Sequence, residues 1–180
     1  MKRILALLCV AALAATAPAL AALKIGAKAP DFTLQSSLGG VVSTFHLADA
    51  LKAGPVVLYF YPAAFTKGCT IEAHEFADAI GDYKKLGATV IGVSHDGIDK
   101  LNKFSVSECR SKFAVAADTD QAVMKAYDAV LTQAPQYANR TSYVIAPDGT
   151  IVYTYTDLHP DNHVTNTLAA LRDYEKTHGH

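Results

Sequence analysis

The sequence predicts an α/β fold in which a central mixed sheet carries helices on both faces, and three observations predict it. Val56-Val57-Leu58-Tyr59-Phe60-Tyr61 is an unbroken apolar run rich in β-branched and aromatic residues, the pattern of a strand covered on both sides. It is followed by a helical stripe and a second apolar run, Ala88 to Val93, so strand, helix and strand form a βαβ unit with a parallel pair. Near the other end, Ser142–Ala146 and Ile151–Tyr155 flank Pro147-Asp148-Gly149-Thr150, where Pro presets φ and Gly accepts a positive one, so these two strands are antiparallel.

The remaining elements follow in chain order. Asp31-Phe32-Thr33-Leu34 reads as a short strand, Gly39-Gly40 as a turn, and Val41-Val42-Ser43 as the returning strand of an N-terminal β-hairpin at the sheet's edge. From Cys69 to Leu86 the residues Phe76, Ala79, Ile80, Tyr83 and Leu86 step by three or four, which marks one buried face of a helix that Gly87 ends. Ile98–Val106 and Gln121–Tyr127 read as helical, and Val164, Leu168 and Leu171 place one stripe on a last helix. Ala114–Ala117 is alanine-rich; Ala129–Asn139 is alanine-rich too, contains Pro135, shows no clear period and reads as a surface loop.

Half of the 180 residues are apolar, enough for one core in a chain too short to divide into two. Met1-Lys2-Arg3, the apolar run Ile4–Ala15 and the small residues around Ala19-Leu20-Ala21 have the layout of a secretory signal peptide over residues 1–21. The run is shorter than the ~20 residues that span a bilayer, so the expectation is cleavage, export to the periplasm and no lasting membrane association. Residues 22–180 would then be a single domain, with the formal charge moved from −1 to −3 by the loss of Lys2 and Arg3. Basic residues are scattered and there is no Trp, which argues against nucleic acid as a partner.

Cys9 would leave with the signal, so Cys69 and Cys109 remain. In an exported protein a permanent disulfide is the plain reading of such a pair. The surroundings of Cys69 point elsewhere. Cys69 stands where a helix begins, and the N–H groups of a first turn have no intrahelical partner and carry partial positive charge, which favours a thiolate. The thiolate is the nucleophilic form. Thr66, three residues earlier, offers a hydroxyl that can both accept and donate, and Pro62 offers a rigid wall without an N–H. Singly, these residues also fit a helix cap, a strand stop and a small buried residue.

Together the spacing Pro62-x-x-x-Thr66-x-x-Cys69 resembles the active-site motif of peroxiredoxins. Ala29-Pro30-Asp31-Phe32-Thr33-Leu34, Cys69-Thr70-x-Glu72-Ala73, Gly92-Val93-Ser94-His95-Asp96 and Asp118-Thr119-Asp120 resemble the bacterioferritin-comigratory, PrxQ-like branch of that AhpC/TSA family. The resemblance implies a thioredoxin fold, Cys69 as the peroxidatic residue, and an arginine just before a late strand that stabilises thiolate and transition state. Arg140-Thr141-Ser142-Tyr143 matches that placement, and a guanidinium suits the task because it stays charged and presents a rigid fork of donors. Glu72 is expected to cap the helix start or bond near the pocket without a catalytic role.

Many members of the branch place a resolving cysteine five residues after the nucleophile, where this chain has His74, expected to be an exposed helix residue. Cys109 is the remaining candidate, although the nearest equivalent position by spacing is Ser105. The resemblance therefore implies a peroxide substrate, a Cys69–Cys109 disulfide reduced by a thioredoxin-like dithiol, and no metal, haem or flavin cofactor. The two cysteines are expected to lie too far apart to bond until one segment opens. No cysteine follows Cys109, so a monomer is expected. Two rivals stand beside this: a single-cysteine peroxidase with an inert Cys109, and an exported copper-binding module. His95, His178 and His180 lack ligand spacing, and Cys-x-x-Cys, phosphate-loop and Gly-x-Ser-x-Gly patterns are absent from the sequence.

Overall fold

The computed structural model describes residues 22–178; the expected signal segment, residues 1–21, and His180 lie outside them. The chain runs β1 (Thr33–Leu38), β2 (Val41–His46), α1 (Leu47–Ala53), β3 (Val56–Phe60), α2 (Lys67–Lys85), β4 (Thr89–Ser94), α3 (Ile98–Ser107), β5 (Ala114–Ala117), α4 (Ala122–Ala126), β6 (Thr141–Ile145), β7 (Ile151–Thr156) and α5 (His163–His178). The strands make one mixed sheet in the order β2-β1-β5-β4-β3-β6-β7. The pairs β3–β4 and β4–β5 are parallel; β6 runs antiparallel to β3. No described helix is long and apolar enough to cross a membrane.

All of β3 is buried, and its period of two divides the interior. Val57, Tyr59 and Tyr61 join the cluster that also holds Phe76 of α2, Phe104 of α3 and Leu168 of α5. Val56, Leu58 and Phe60 point into the other cluster, with Leu47 and Leu51 of α1 and Met124 of α4. Tyr59 stacks on Phe76 with ring centroids 4.3 Å apart. Its phenol also lies over Gly92, where a Cβ would come within 2.7 Å of the ring, so the neighbouring strand needs glycine there. At the end of α2, Gly87 has φ +64 and Ala88 N–H donates to Tyr83 C=O (2.9 Å), the closing bond of a left-handed helix terminus.

Two expectations need correction, and one segment left unassigned is a strand. Ala114–Ala117 is β5, a buried strand between β1 and β4, because a central position in the sheet overrides the poor strand preference of alanine. The Ala129–Asn139 loop is not wholly superficial: Ala129 and Ala138 are fully buried, and Val130 bridges to Ala138. The hairpin is longer than Asp31–Ser43 and is no isolated edge feature, since β1 pairs with β5 and only β2 is at the rim. Helix α1 was not foreseen; seven residues with only Leu47 and Leu51 buried are too few to show a period.

Candidate active site

The loop from β3 into α2 carries Pro62, Thr66 and, in the first helical turn, Cys69. A carboxylate from the end of β4 ties this loop down: Ala64 N–H donates to Asp96 Oδ2 at 2.7 Å, and Asp96 is held in turn by Ser94 Oγ (2.9 Å) and Lys100 Nζ (2.7 Å). Phe65 takes a left-handed φ of 67° within the loop, a conformation costly for a non-glycine residue, and its ring meets Phe104 edge-on at 5.2 Å. Thr66 occupies the N-cap position, but its hydroxyl does not cap the helix. It donates to Ala63 C=O at 2.9 Å, which leaves its oxygen lone pairs free on an exposed side chain.

Cys69 is 2% exposed, and the guanidinium of Arg140 reaches it. Arg140, 3% exposed and directly before β6, donates through Nε to Leu158 C=O (3.0 Å), through Nη1 to Glu72 Oε2, and through Nη2 to Cys69 Sγ (3.5 Å). Arg140 is therefore a buried, fully engaged side chain rather than a solvated loop charge. Gly68 makes room for this arrangement, because a Cβ at that position would stand 3.0 Å from Nη2.

Glu72 is fully buried. Its Oε1 has no hydrogen-bond partner and lies 3.8 Å from Nδ1 of the equally buried His163. His163 Nε2 faces Asp157 C=O at 3.0 Å and must donate there, so Nδ1 accepts from the Ser142 hydroxyl (2.8 Å) and the ring is neutral. Burial pushes the Glu72 carboxyl up to about 8 although Arg140 pulls it down. Burial also pushes His163 down to about 4, helped by the charge of Arg140. Burial works against the charge on Arg140 itself, but Glu72 and Cys69 outweigh it and keep the guanidinium ionised. A carboxylate at Glu72 and a thiolate at Cys69 thus compete for one cation.

An AhpC/TSA family model matches residues 25–154. The chain belongs to the AhpC/TSA family. It is 34% identical over 148 residues to the chloroplastic peroxiredoxin Q of Oryza sativa subsp. japonica, covering 82% of this chain and 66% of that protein, and has similar identity to peroxiredoxin Q of Triticum aestivum. The chain thus spans slightly less than two thirds of the length of these plant relatives. Among solved structures, peroxidoxin BcpB of Mycobacterium tuberculosis superposes with a TM-score of 0.76 at 30% identity, over 84% of this chain and 97% of that one. Peroxiredoxin Q of Xanthomonas campestris gives 0.68 at 27%, over 78% and 90%. The peroxiredoxin thioredoxin fold expected from the motif is the observed fold.

Within this AhpC/TSA fold the structure brings Cys69 and Arg140 together and sets Pro62 and Thr66 on the adjoining loop. Cys109 is also a free thiol, fully buried in the same apolar cluster, just beyond α3. Burial raises its thiol pKa far above the usual range. Ser105 is structural: its hydroxyl takes the Gly40 N–H (3.1 Å) and donates to Asn102 C=O (2.9 Å), fastening α3 to the hairpin. Among the described residues no group of three or more His, Cys, Asp or Glu is placed to hold a metal ion. Sequence reasoning undervalued Glu72 and missed His163, Ser142 and Asp96. The signals in the sequence for Glu72 were its place in the Cys69-Thr70-x-Glu72-Ala73 motif and its position one turn after Cys69 on the same helix.

Two expected results arise here. Gly68→Ala should displace the guanidinium by a few tenths of an ångström and slow oxidation of Cys69 about tenfold with little loss of stability, as measured by competition kinetics and urea unfolding. His163 ionises in the unfolded chain near 6.5 but only near 4 in the fold, so its contribution is complete above about 6.5 and is lost as pH falls toward 4. The stability difference between the protein and His163→Asn should therefore shrink by about 3 kcal/mol from pH 7 to pH 4. Glu72 contributes the opposite slope, lost as pH rises from about 4.5 to about 8, and it lies 3.8 Å from His163, so the comparison is made with Glu72→Gln in both proteins.

Proposed function

We propose that the protein is a thiol-dependent peroxidase in which Cys69 attacks hydrogen peroxide or an alkyl hydroperoxide. The observation that carries this reading is the 3.5 Å approach of Arg140 Nη2 to Cys69 Sγ, both buried, at a helix start. Donors aimed at the place where charge develops lower a barrier most when water is excluded. The thiolate sulfur bonds to one peroxide oxygen, the O–O bond breaks, and the peroxide's own proton moves to the departing oxygen as water or alcohol forms. Thr66 and Arg140 hold the peroxide in line while Pro62 shields the pocket.

The sulfenate left on Cys69 takes up from solvent the proton its thiol released on ionising; the resulting sulfenic acid condenses with the Cys109 thiol, whose proton leaves with the sulfenic hydroxyl as water, and a dithiol of the thioredoxin type reduces the disulfide. Each chain carries both cysteines, so the cycle needs no second copy, and none of its steps calls for a metal, haem or flavin. The Met1–Ala21 segment supports action after export, in the periplasm.

Complete burial of Cys109 favours a second reading, a single-cysteine cycle in which that thiol is inert. Peroxide consumption driven by thioredoxin or another dithiol tests both. Sustained turnover that stops in Cys109→Ser supports the two-cysteine cycle; unchanged turnover in that variant supports the single-cysteine one. A purified protein that consumes no peroxide with any thiol would overturn the proposal.

A further inference from the structure

A hydrogen-bonded His–Glu pair and an Arg–Asp ion pair flank Cys109, one on the residue before it and one on the residue after, and both run to helix α2. His74 Nε2 and Glu108 Oε2 are 2.9 Å apart, and Arg110 Nη1 donates to Asp78 Oδ1 at 2.5 Å. His74 and Asp78 are four residues apart, so they lie on one face of α2, five and nine residues beyond Cys69. The backbone of the same segment pulls the other way. Arg110 and Ser111 are consecutive non-glycine residues with φ of 49° and 55°, a strained pairing that this packing maintains. Short bonds complete the closed form: Cys109 N–H donates to Phe104 C=O (3.0 Å) and Ser111 N–H to Ser105 C=O (2.9 Å).

We propose that His74–Glu108 and Asp78–Arg110 form a latch that holds the resolving cysteine closed, making these four positioning residues for the second chemical step. The inference rests on the reading of Cys109 as that resolving residue. Closed, the Cys109 sulfur has no exposure and its thiol is kept protonated, whereas condensation needs the sulfur accessible to the Cys69 sulfenic acid. Opening the Glu108–Phe113 segment breaks both side-chain pairs and relieves two left-handed residues. The latch therefore sets how long the sulfenic acid survives, and with it how often a second peroxide reaches Cys69 before the disulfide forms. The pairs are partly exposed, with side-chain exposures of 37% and 19% for His74 and Glu108, and 44% and 70% for Arg110 and Asp78. Each is then worth a factor of about two to five in the opening equilibrium.

The test uses His74→Ala with Asp78→Asn, two changes outside the peroxide site. The chain has no Trp, so the two steps are followed by quenched-flow alkylation and intact mass after one equivalent of hydrogen peroxide. The expected result is an unchanged rate of sulfenic acid formation, disulfide formation faster by about fivefold to tenfold, and a smaller overoxidised fraction at high peroxide. Exchanging the charges through Asp78→Arg with Arg110→Asp should restore most of the slow disulfide formation, a rescue that loss of packing alone would not give. Disulfide formation that is unchanged or slower in the double variant, with a normal first step, overturns the latch. If the unsubstituted protein forms no Cys69–Cys109 disulfide, the reading of Cys109 itself fails and the latch falls with it. The Cys109→Ser control tells that case from a failed latch.

Discussion

Cys69→Ser is expected to reduce peroxide turnover to the background of free thiols, a loss on the order of 10⁴-fold or more, as when a nucleophile is removed from a concerted site. Serine nearly matches cysteine in volume, and Cys69 is one buried residue of a large apolar cluster, so the fold should persist. The chemistry should not. A hydroxyl stays protonated where a thiol ionises, and oxygen is a poor nucleophile toward the O–O bond. Steady-state peroxide consumption with a dithiol reads the activity, and urea unfolding reads the fold. Turnover within a few-fold of the unsubstituted protein would remove Cys69 from the centre of the account.

Arg140→Ala is expected to slow the first oxidation by about 10²–10³-fold, the usual consequence of deleting one preorganised donor at a developing charge. The change removes three things at once: the Nη2 contact to Cys69, the partner of Glu72, and the tether to Leu158 C=O. Glu72 would be left buried and uncompensated, so some stability should be lost as well. Arg140→Lys separates these effects. An ammonium can replace the charge but not the three-way fork, so it should recover stability more than rate. Equal recovery of both would mean that Arg140 acts as a structural cation only.

These two substitutions also show what was legible in the sequence. The β3 run and the Phe76–Tyr83 stripe announced themselves because strand and helix bury residues at different periods, and both lie in the interior as expected. β5 and α1 gave no such signal. Four small residues can be a central strand only because β1 and β4 flank them, a fact of tertiary pairing. The same limit applies to the site. Pro62, Thr66 and Cys69 share eight residues of chain, and their spacing could be recognised. Glu72, Arg140, Ser142 and His163 converge from α2, β6 and its approach, and α5, and no local pattern records that meeting. His74 illustrates the point from the other side. Lying off the apolar stripe, it read as an exposed helix residue, yet it is half-buried against Glu108 from the far end of α3.

The arrangement around Arg140 also accounts for how a buried carboxyl group can sit one turn from Cys69. A single guanidinium balances one negative charge, and the burial that pushes Glu72 up favours a proton there. His163 stays neutral beside it, held by Ser142 and the Asp157 carbonyl, and so adds no second cation.

The central claim is that Cys69 takes the peroxide oxygen and passes the oxidation to Cys109. Intact mass and peptide mapping of the reduced protein after one equivalent of hydrogen peroxide test it most directly. The account predicts a product lighter by two hydrogens, with the Cys69 and Cys109 peptides joined, and in Cys109→Ser a product heavier by one oxygen on Cys69. Peroxide left unconsumed, or oxygen found on methionine while the Cys69 thiol is intact, would contradict it.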